Sequence, residues 1–416
     1  MRSVELFVGA GGLAMGVSAS GFSHDLVIEW DQYACDTLRE NKKRGVAPIK
    51  SWPTVTQLDV REFDYHSIPK GVTLVAGGPP CQPFSLGGKH KGKEDPRDMF
   101  PEAIRAVREL RPLAFMFENV RGLVRPAFKD YLGYVLRQLE QPHAVREKKE
   151  GWSAHKARLL KGETRQPARD LYSVKHMVLN AADYGVPQHR ERLFIVGIRR
   201  DLGMPWSFPV PTHSRDVLLW TQWVTGEYWD RHCVPKRKRP KAPGNRDEIA
   251  RKLTDRFFEK PWRTVRDVLF DLPEPEDDDG GFLNHKLMPG ARSYPGHTGS
   301  DLDSPAKTIK AGVHGVPGGE NMLRYPSGKV RYFTVRESAR LQCFPDEYGF
   351  PGVWSESMRQ LGNAVPVSLA RCVASAINQE LEKYAGQSSR CVVTSLTSEV
   401  ERGRRNGREA PVQSPG

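Results

Sequence analysis

Apolar residues in this chain fall in short runs that end in glycine, proline or an acid, with polar or amphipathic stretches between them. Val4 to Val8, Asp25 to Ile28, Val72 to Ala76, Leu113 to Phe117, Tyr172 to Leu179 and Leu193 to Ile198 read as strands, several of them apolar enough to be covered on both faces. Met99 to Leu110 carries helical spacing and stops before Pro112. Thr334 with Glu337 three residues on forms a capping box and predicts a helix after Thr334. The segment Gly362-Asn363-Ala364-Val365-Pro366-Val367 then starts a last helix that runs to about Tyr384. Strands alternating with helices predict an α/β fold with a doubly wound, Rossmann-like sheet.

The pattern is interrupted twice. Residues 146–170 are strongly basic with few apolar positions, and read as a surface excursion or flexible loop within a first catalytic part, 1–200. From 201 to 331 the helical period fades except around Arg246 to Phe258, while Pro, Gly, Trp and His accumulate. That stretch reads as a smaller, irregular second domain joined through loops. Residues 332–385 return to the first domain, and 386–416, rich in Ser, Arg and Gly, read as a disordered tail.

Composition narrows the partner. At 416 residues, with 38% hydrophobic and 27% charged positions, the chain is long enough for two domains. It holds no apolar stretch approaching the roughly 18 residues of a membrane span. The chain enters a strand directly, without a basic-then-apolar leader, which predicts a cytoplasmic protein. Six cysteines without a CxxC pair fit reduced thiols rather than a zinc site or a disulfide framework, so no metal is expected. A net charge of +13 points to a polyanion, most simply nucleic acid. The run Lys236 to Arg239, near Trp220, Trp223, Tyr228 and Trp229, suits either a solvated face or nucleic-acid contact.

Candidate chemistry gathers where the predicted strands end, the edge at which open α/β sheets bind ligands. After the first, Gly9, Gly11 and Ala14 satisfy GxGxxA, so a dinucleotide site is open alongside an adenosyl one. Glu29 ends the second and is placed for ribose hydroxyls, Trp30 for packing on a ligand, and Asp59 for an adenine amino group. After Val72 to Ala76 comes GGPPCQPFS, where Pro79 and Pro80 stiffen the approach to Cys81 and present its thiol. Cys81 is the candidate nucleophile. Glu118 follows the all-apolar run Leu113 to Phe117, and apolar surroundings raise a carboxyl pKa into the range of a general acid. Gln188, Arg190 and Arg192 alternate before a strand and so share a face, where arginines are solvated, ion-paired or hold an oxyanion.

These blocks together resemble the cytosine-5 DNA methyltransferase family, of bacterial restriction–modification type. LFVGAGGLAMG, IEWD, LDV, GGPPCQPFS, FENVRGL, QHRERLFIVG, TVRESARLQCFPD and GNAVPV stand in the family's order and cover nearly the whole chain outside the insert, the tail and 201–331. The family's variable region falls where the composition changes. Within it SPAKTIKAG resembles the core that family target-recognition domains place against DNA, which implies Thr308 and Ile309 as substrate contacts.

The resemblance implies a mechanism. Cys81 adds to carbon 6 of a cytosine flipped out of the duplex, since the ring faces are shielded inside it. Glu118 protonates or hydrogen-bonds ring nitrogen 3, Arg190 and Arg192 hold the base oxygen and the loop, and Asn119 anchors the Pro-Pro-Cys turn. S-adenosyl-L-methionine supplies the methyl, with Phe7, Gly9, Gly11, Gly12, Glu29 and Trp30 around it, together with Asp59, Val60, Pro79 and Asn363. Pro80, Gln82, Ser85 and Gln188 join Asn119 on the substrate side, and the basic loop from Ser85 to Arg97 is the lid. The implied partner is double-stranded DNA, bound by a monomer that is functionally paired with a restriction endonuclease. Two other readings stand beside this one. A nicotinamide-dependent dehydrogenase would use GxGxxA and Glu29 but leave Cys81 and Glu118 without a task. A tRNA methyltransferase would share the catalytic blocks but not a recognition region of this size.

Overall fold

The structure is a computed structural model that describes residues 1–80, 98–162, 167–242, 244, 259–276, 281–311 and 321–406, with side chains as far as 386. The apolar runs form one seven-stranded sheet. Its strands are β1 (Arg2–Leu6), β2 (Ser23–Glu29), β3 (Thr56–Gln57), β4 (Leu74–Gly77), β5 (Ala114–Val120), β6 (Tyr172–Asn180) and β7 (Glu191–Arg199), in the order β3-β2-β1-β4-β5-β7-β6. The first five are parallel, whereas β7 runs antiparallel to both β5 and β6. The order reverses between β1 and β4, which opens a crevice there beyond the strands' C-terminal ends. Because β7 is reversed, its entry, not its exit, reaches that same edge.

Alternation along the strands divides the core between two faces. Phe115 and Phe117 face α3 (Phe100–Leu110) and α4 (Lys129–Glu140), packing with Ile104, Val107, Tyr131 and Val135. Ala114 and Met116 face the other way, toward Leu13 and Val17 of α1 (Gly12–Ser18) and Leu369, Val373 and Ile377 of the long last helix. Helix α2 (Gln32–Lys43) follows β2 and is capped by Asp31, whose carboxylate accepts the Ala34 N–H at 2.9 Å.

The insert is not a bare excursion. It carries α5 (Trp152–Leu160), which packs on Tyr134 of α4 through Leu159, Ala144 and Trp152. His155 lies buried between them, bonded to the Tyr134 hydroxyl at 2.8 Å and the Ala144 carbonyl at 2.7 Å. Three apolar contacts and one buried imidazole order it despite its charge.

Residues 201–331 hold α6 (Arg215–Trp223), α7 (Glu227–Arg231) and α8 (Arg266–Leu269). They also hold a pair of parallel two-residue strands, β8 (His213–Ser214) and β9 (Lys260–Pro261). Strands β10 (Ser300–Asp301), β11 (Met322–Arg324) and β12 (Val330–Tyr332, which ends just past 331) form a three-stranded sheet. Tyr228 and Trp229 are buried with Leu218 in a small cluster of their own, so these two aromatics serve packing rather than a nucleic-acid face. Much of the rest has no core of its own. Val265, Leu269, Ala306, Ile309 and Leu323 pack in one cluster with Met15, Leu38 and Trp52 from the start of the chain and Phe344 from its end. The expected helix around Arg246 to Phe258 lies outside the described residues.

The capping box forms as expected: Thr334 accepts the Glu337 N–H at 3.1 Å, and Glu337 accepts the Thr334 N–H at 2.9 Å, opening α9 (Val335–Leu341). Helix α10 (Trp354–Asn363) ends before Pro366, and α11 (Val367–Asn406) continues past Tyr384, through residues expected to form part of the tail. Val393, Leu396 and Val400 stand three and four positions apart, a helical spacing that the surrounding Ser and Arg obscure.

Candidate active site

Sheet register brings the candidate groups to one edge. Leu6 pairs with Gly77, Gly77 with Phe117 and Phe117 with Ile195, so the ends of β1, β4 and β5 lie level with the entry of β7. One residue beyond Phe117 stands Glu118, largely buried, with Oε1 2.9 Å from the Nε of Arg192. Burial raises the Glu118 carboxyl pKa, opposed by the positive charges of Arg192 and Arg190. Its second oxygen faces Gly78, where a Cβ would lie 3.4 Å from Oε2. A side chain at Gly78 would therefore stand in contact with that oxygen.

Asn119 reaches back to the Pro-Pro turn, donating through Nδ2 to the Pro79 carbonyl at 2.9 Å, while its Oδ1 accepts the Val120 N–H. Pro79 is buried and Pro80 exposed, and the Pro80 carbonyl accepts the Met99 N–H at 3.0 Å just before α3. Cys81, Gln82 and Ser85, with the expected lid, lie outside the described residues.

The two remaining members of the Gln188–Arg192 set sit elsewhere than expected. Arg190 was expected to hold the base or the loop, but its guanidinium is fully buried and donates to the carbonyls of Ile309 at 2.9 Å, Gly362 at 2.6 Å and Ala364 at 2.8 Å. Both terminal nitrogens are thereby occupied, and the residue acts as a strut between β7, the 300–311 segment and the end of α10. Gln188 is buried beside it, accepting the Ile309 N–H at 3.1 Å and donating to the Leu341 carbonyl at 3.2 Å. Ile309 itself is completely buried, so its side chain packs in the core rather than against DNA. Thr308 donates its hydroxyl to the His189 carbonyl at 2.6 Å. Arg190, Gln188 and Ile309 were read as facing the substrate because sequence shows the spacing and not the buried surroundings they meet, whereas Thr308 stays partly exposed.

On the other side of the crevice, Phe7 takes a positive φ of 55°, as do Gly9 at 55° and Gly11 at 88°. A Cβ on Gly9 would meet nothing within 4 Å, so the segment opens onto free space. Gly12 is needed for a different reason: its Cβ would lie 2.2 Å from the Val365 carbonyl. Glu29 accepts three main-chain N–H groups, from Gly9 at 2.7 Å and from Trp30 and Asp31 at 2.9 Å. A carboxylate offers about four acceptor positions, so Glu29 first shapes the loop and keeps one position, on the oxygen that holds Gly9, for a hydroxyl. Trp30 is 69% exposed, a large ring left open by the described residues. Asp59 lies just past β3, its carboxylate paired with Arg61 at 2.5–3.0 Å, which lowers its pKa; Val60 beside it is buried. Asn363 is exposed at the end of α10. An uncovered indole, an open glycine turn and a spare acceptor fit an adenosyl ligand such as S-adenosylmethionine.

One contact here had no sequence signal. The Tyr348 hydroxyl donates to the Ala10 carbonyl at 2.6 Å across 338 residues. Only its position just after the TVRESARLQCFPD block could have drawn attention to it.

Comparison with known proteins agrees with this arrangement. The sequence model described as C-5 cytosine-specific DNA methylase matches residues 1–142 and 155–379. The chain is 32% identical over 393 residues to the Type II methyltransferase M.Eco47II of Escherichia coli, covering 91% of this chain and 79% of that protein. It is also 32% identical over 391 residues to M.NgoMIV of Neisseria gonorrhoeae, covering 92% and 98%. Among solved structures, a putative DNA modification methyltransferase encoded within an E. coli prophage shares the fold, with a TM-score of 0.56 at 20% identity over 92% of this chain and 99% of that one. The match spans the glycine turn, the Pro-Pro-Cys segment and the Glu118 strand together, which removes the dehydrogenase reading: the chain belongs to the C-5 cytosine-specific DNA methylase family and is a DNA cytosine-5 methyltransferase.

Proposed function

We propose that the protein methylates cytosine at carbon 5 within a defined sequence of double-stranded DNA, acting as a monomer on a base turned out of the duplex. The observation that carries this is the Glu118–Arg192 pair beside the turn that leads to Cys81, a turn that Asn119 next to Glu118 holds through the Pro79 carbonyl. Carbon 5 of cytosine is too weak a nucleophile unaided. Addition of the Cys81 thiolate at carbon 6 moves the ring's electron pair toward carbon 5 and ring nitrogen 3. Glu118, whose pKa burial raises, gives a proton to nitrogen 3 and prevents charge from accumulating there. Arg192 orients that carboxyl, and its guanidinium is the group to hold the base oxygen. With the methyl on carbon 5, a base takes the carbon 5 proton, that electron pair re-forms the double bond and expels the Cys81 thiolate, and nitrogen 3 returns its proton to Glu118.

S-adenosylmethionine, when bound, supplies an electrophilic methyl on a sulfonium. Phe7, the Gly9–Gly12 turn, Glu29 and Trp30 would hold it, with Asp59, Val60, Pro79 and Asn363 completing the site. Pro80, Gln82, Ser85 and Asn119 belong to the base side. The net charge of +13 suits a polyphosphate partner, and the Type II designation of the relatives supports pairing with a restriction endonuclease in the same cytoplasm. No helix among the described residues is long and apolar enough to cross a membrane.

Bisulfite sequencing of plasmid DNA from cells expressing the protein tests the reading. Modified cytosines are expected at one recurring sequence, and none with Cys81→Ser. A Ser variant that keeps a tenth of the activity, a loss of only about 1.4 kcal/mol in barrier terms, would exclude Cys81 as nucleophile. Methylation scattered without a common sequence would exclude a defined target.

A further inference from the structure

The turn after β1 has few side chains with which to hold its own shape. Gly9 and Gly11 adopt φ values that other residues avoid, and Ala10 between them is buried. The turn's one internal bond runs from the Gly11 N–H to the Val8 carbonyl at 2.9 Å, and from outside it is held by Glu29 at the Gly9 N–H and by Tyr348 at the Ala10 carbonyl. Tyr348 is completely buried, its ring packed 5.0 Å from both Phe344 and Phe350. Phenylalanine would fill that space equally well, so the hydroxyl is there for its one bond.

The main chain around Tyr348 is fixed from three directions. Arg336, itself buried, donates to the carbonyls of Tyr348 at 2.7 Å, Pro345 at 3.1 Å and Leu283 at 2.9 Å. Asn41 of α2 exchanges two bonds with Gly349 at 2.7 and 2.8 Å. Asn284 does the same with Phe350 at 3.1 and 2.8 Å. A side chain held this firmly delivers its hydroxyl to one place.

We propose that Tyr348 is a positioning residue for the methyl donor, fixing the Gly9–Gly12 turn in its receptive shape through the Ala10 carbonyl without touching the ligand. The inference rests on the reading of that turn as the seat of S-adenosylmethionine. A matched control exists within the fold. Tyr172 is also buried and donates to a main-chain carbonyl, that of Pro112 at 2.8 Å, but Pro112 precedes β5 at the opposite edge of the sheet.

Tyr348→Phe and Tyr172→Phe each remove one buried hydroxyl and leave one carbonyl unpaired, so both should lower Tm. Calorimetric titration of the full-length variants with S-adenosylmethionine, without DNA, separates them. Tyr348→Phe should raise the donor Kd about three- to tenfold, with KM for the donor rising in step and kcat at saturation within about twofold. Tyr172→Phe should bind as the wild type does. A wild-type Kd in Tyr348→Phe, or an equal rise in both variants, overturns the proposal. Glu29→Gln distinguishes this failure from that of the underlying reading. If Glu29→Gln weakens binding and Tyr348→Phe does not, the positioning role alone falls. If the wild type takes up no donor, or Glu29→Gln binds it unchanged, the turn is not its seat and both fall.

Discussion

Glu118 stands under opposing pressures, since burial raises its pKa while Arg192, 2.9 Å away, lowers it. A carboxyl balanced in this way can hold a proton before addition and release it as nitrogen 3 becomes basic. Glu118→Gln preserves the shape and a hydrogen bond but has no proton to give. Loss of a positioned acid costs about 10²–10⁴ in rate, against about 0.5–1.5 kcal/mol for one neutral hydrogen bond, so the acid effect dominates. Single-turnover methylation should therefore slow by about a hundredfold or more, with DNA and donor affinity nearly unchanged. Near-normal chemistry with collapsed DNA binding would reduce Glu118 to an anchor for the base. The position of this residue was legible in sequence because a carboxylate directly after an apolar strand has few places to be except a strand end. Arg190 was only half legible. It lies beside Gln188, as alternation predicts, but its partners are main-chain carbonyls 119 to 174 residues away, which no local pattern encodes.

At the scale of elements, α10 meets the 300–311 segment so closely that only glycine fits between them. A Cβ on Gly362 would stand 2.1 Å from the Ala311 nitrogen and 2.4 Å from the Lys310 carbonyl carbon. Alanine is the better helix former by about 1 kcal/mol, so a helix argument alone favours Gly362→Ala. The clash is with backbone, and that backbone is pinned by Asn321, which bonds both the Lys310 N–H and its carbonyl. Overpacking of this kind costs about 1–3 kcal/mol, and the net sign should be destabilising, read as a lower denaturant midpoint at unchanged slope. A midpoint equal to or above wild type would show that the segment yields. Strands and the capped helix α9 were readable because they rest on local period and local caps. Helix α5 was not, since its charged positions hide a buried face made of little more than His155 and Leu159.

At the scale of the molecule, the described part of 201–331 keeps one small cluster of its own, around Leu218, Tyr228 and Trp229, and joins a larger one. Residues from this region share one apolar cluster with α1, α2 and the segments around α9 and α10. Five of the nine tryptophans, Trp206, Trp220, Trp223, Trp229 and Trp262, report on it, whereas far-UV dichroism is dominated by the main sheet and its helices. A shared cluster makes the two signals change together, so urea unfolding followed by fluorescence and by dichroism should give coincident midpoints. Fluorescence changing well before dichroism would mean that the region unfolds independently. The contact between Tyr348 and Ala10 also bears on how the protein is made. A ribosome adding about 5–20 residues per second needs roughly 20 to 70 s to bring the second partner into being after the first, 338 positions earlier. Throughout that interval the nascent glycine turn lacks the hydroxyl that fixes it, and Gly12 lacks the Val365 carbonyl against which it closes. The turn proposed as the donor's seat therefore takes its last contacts only after translation has passed both residues.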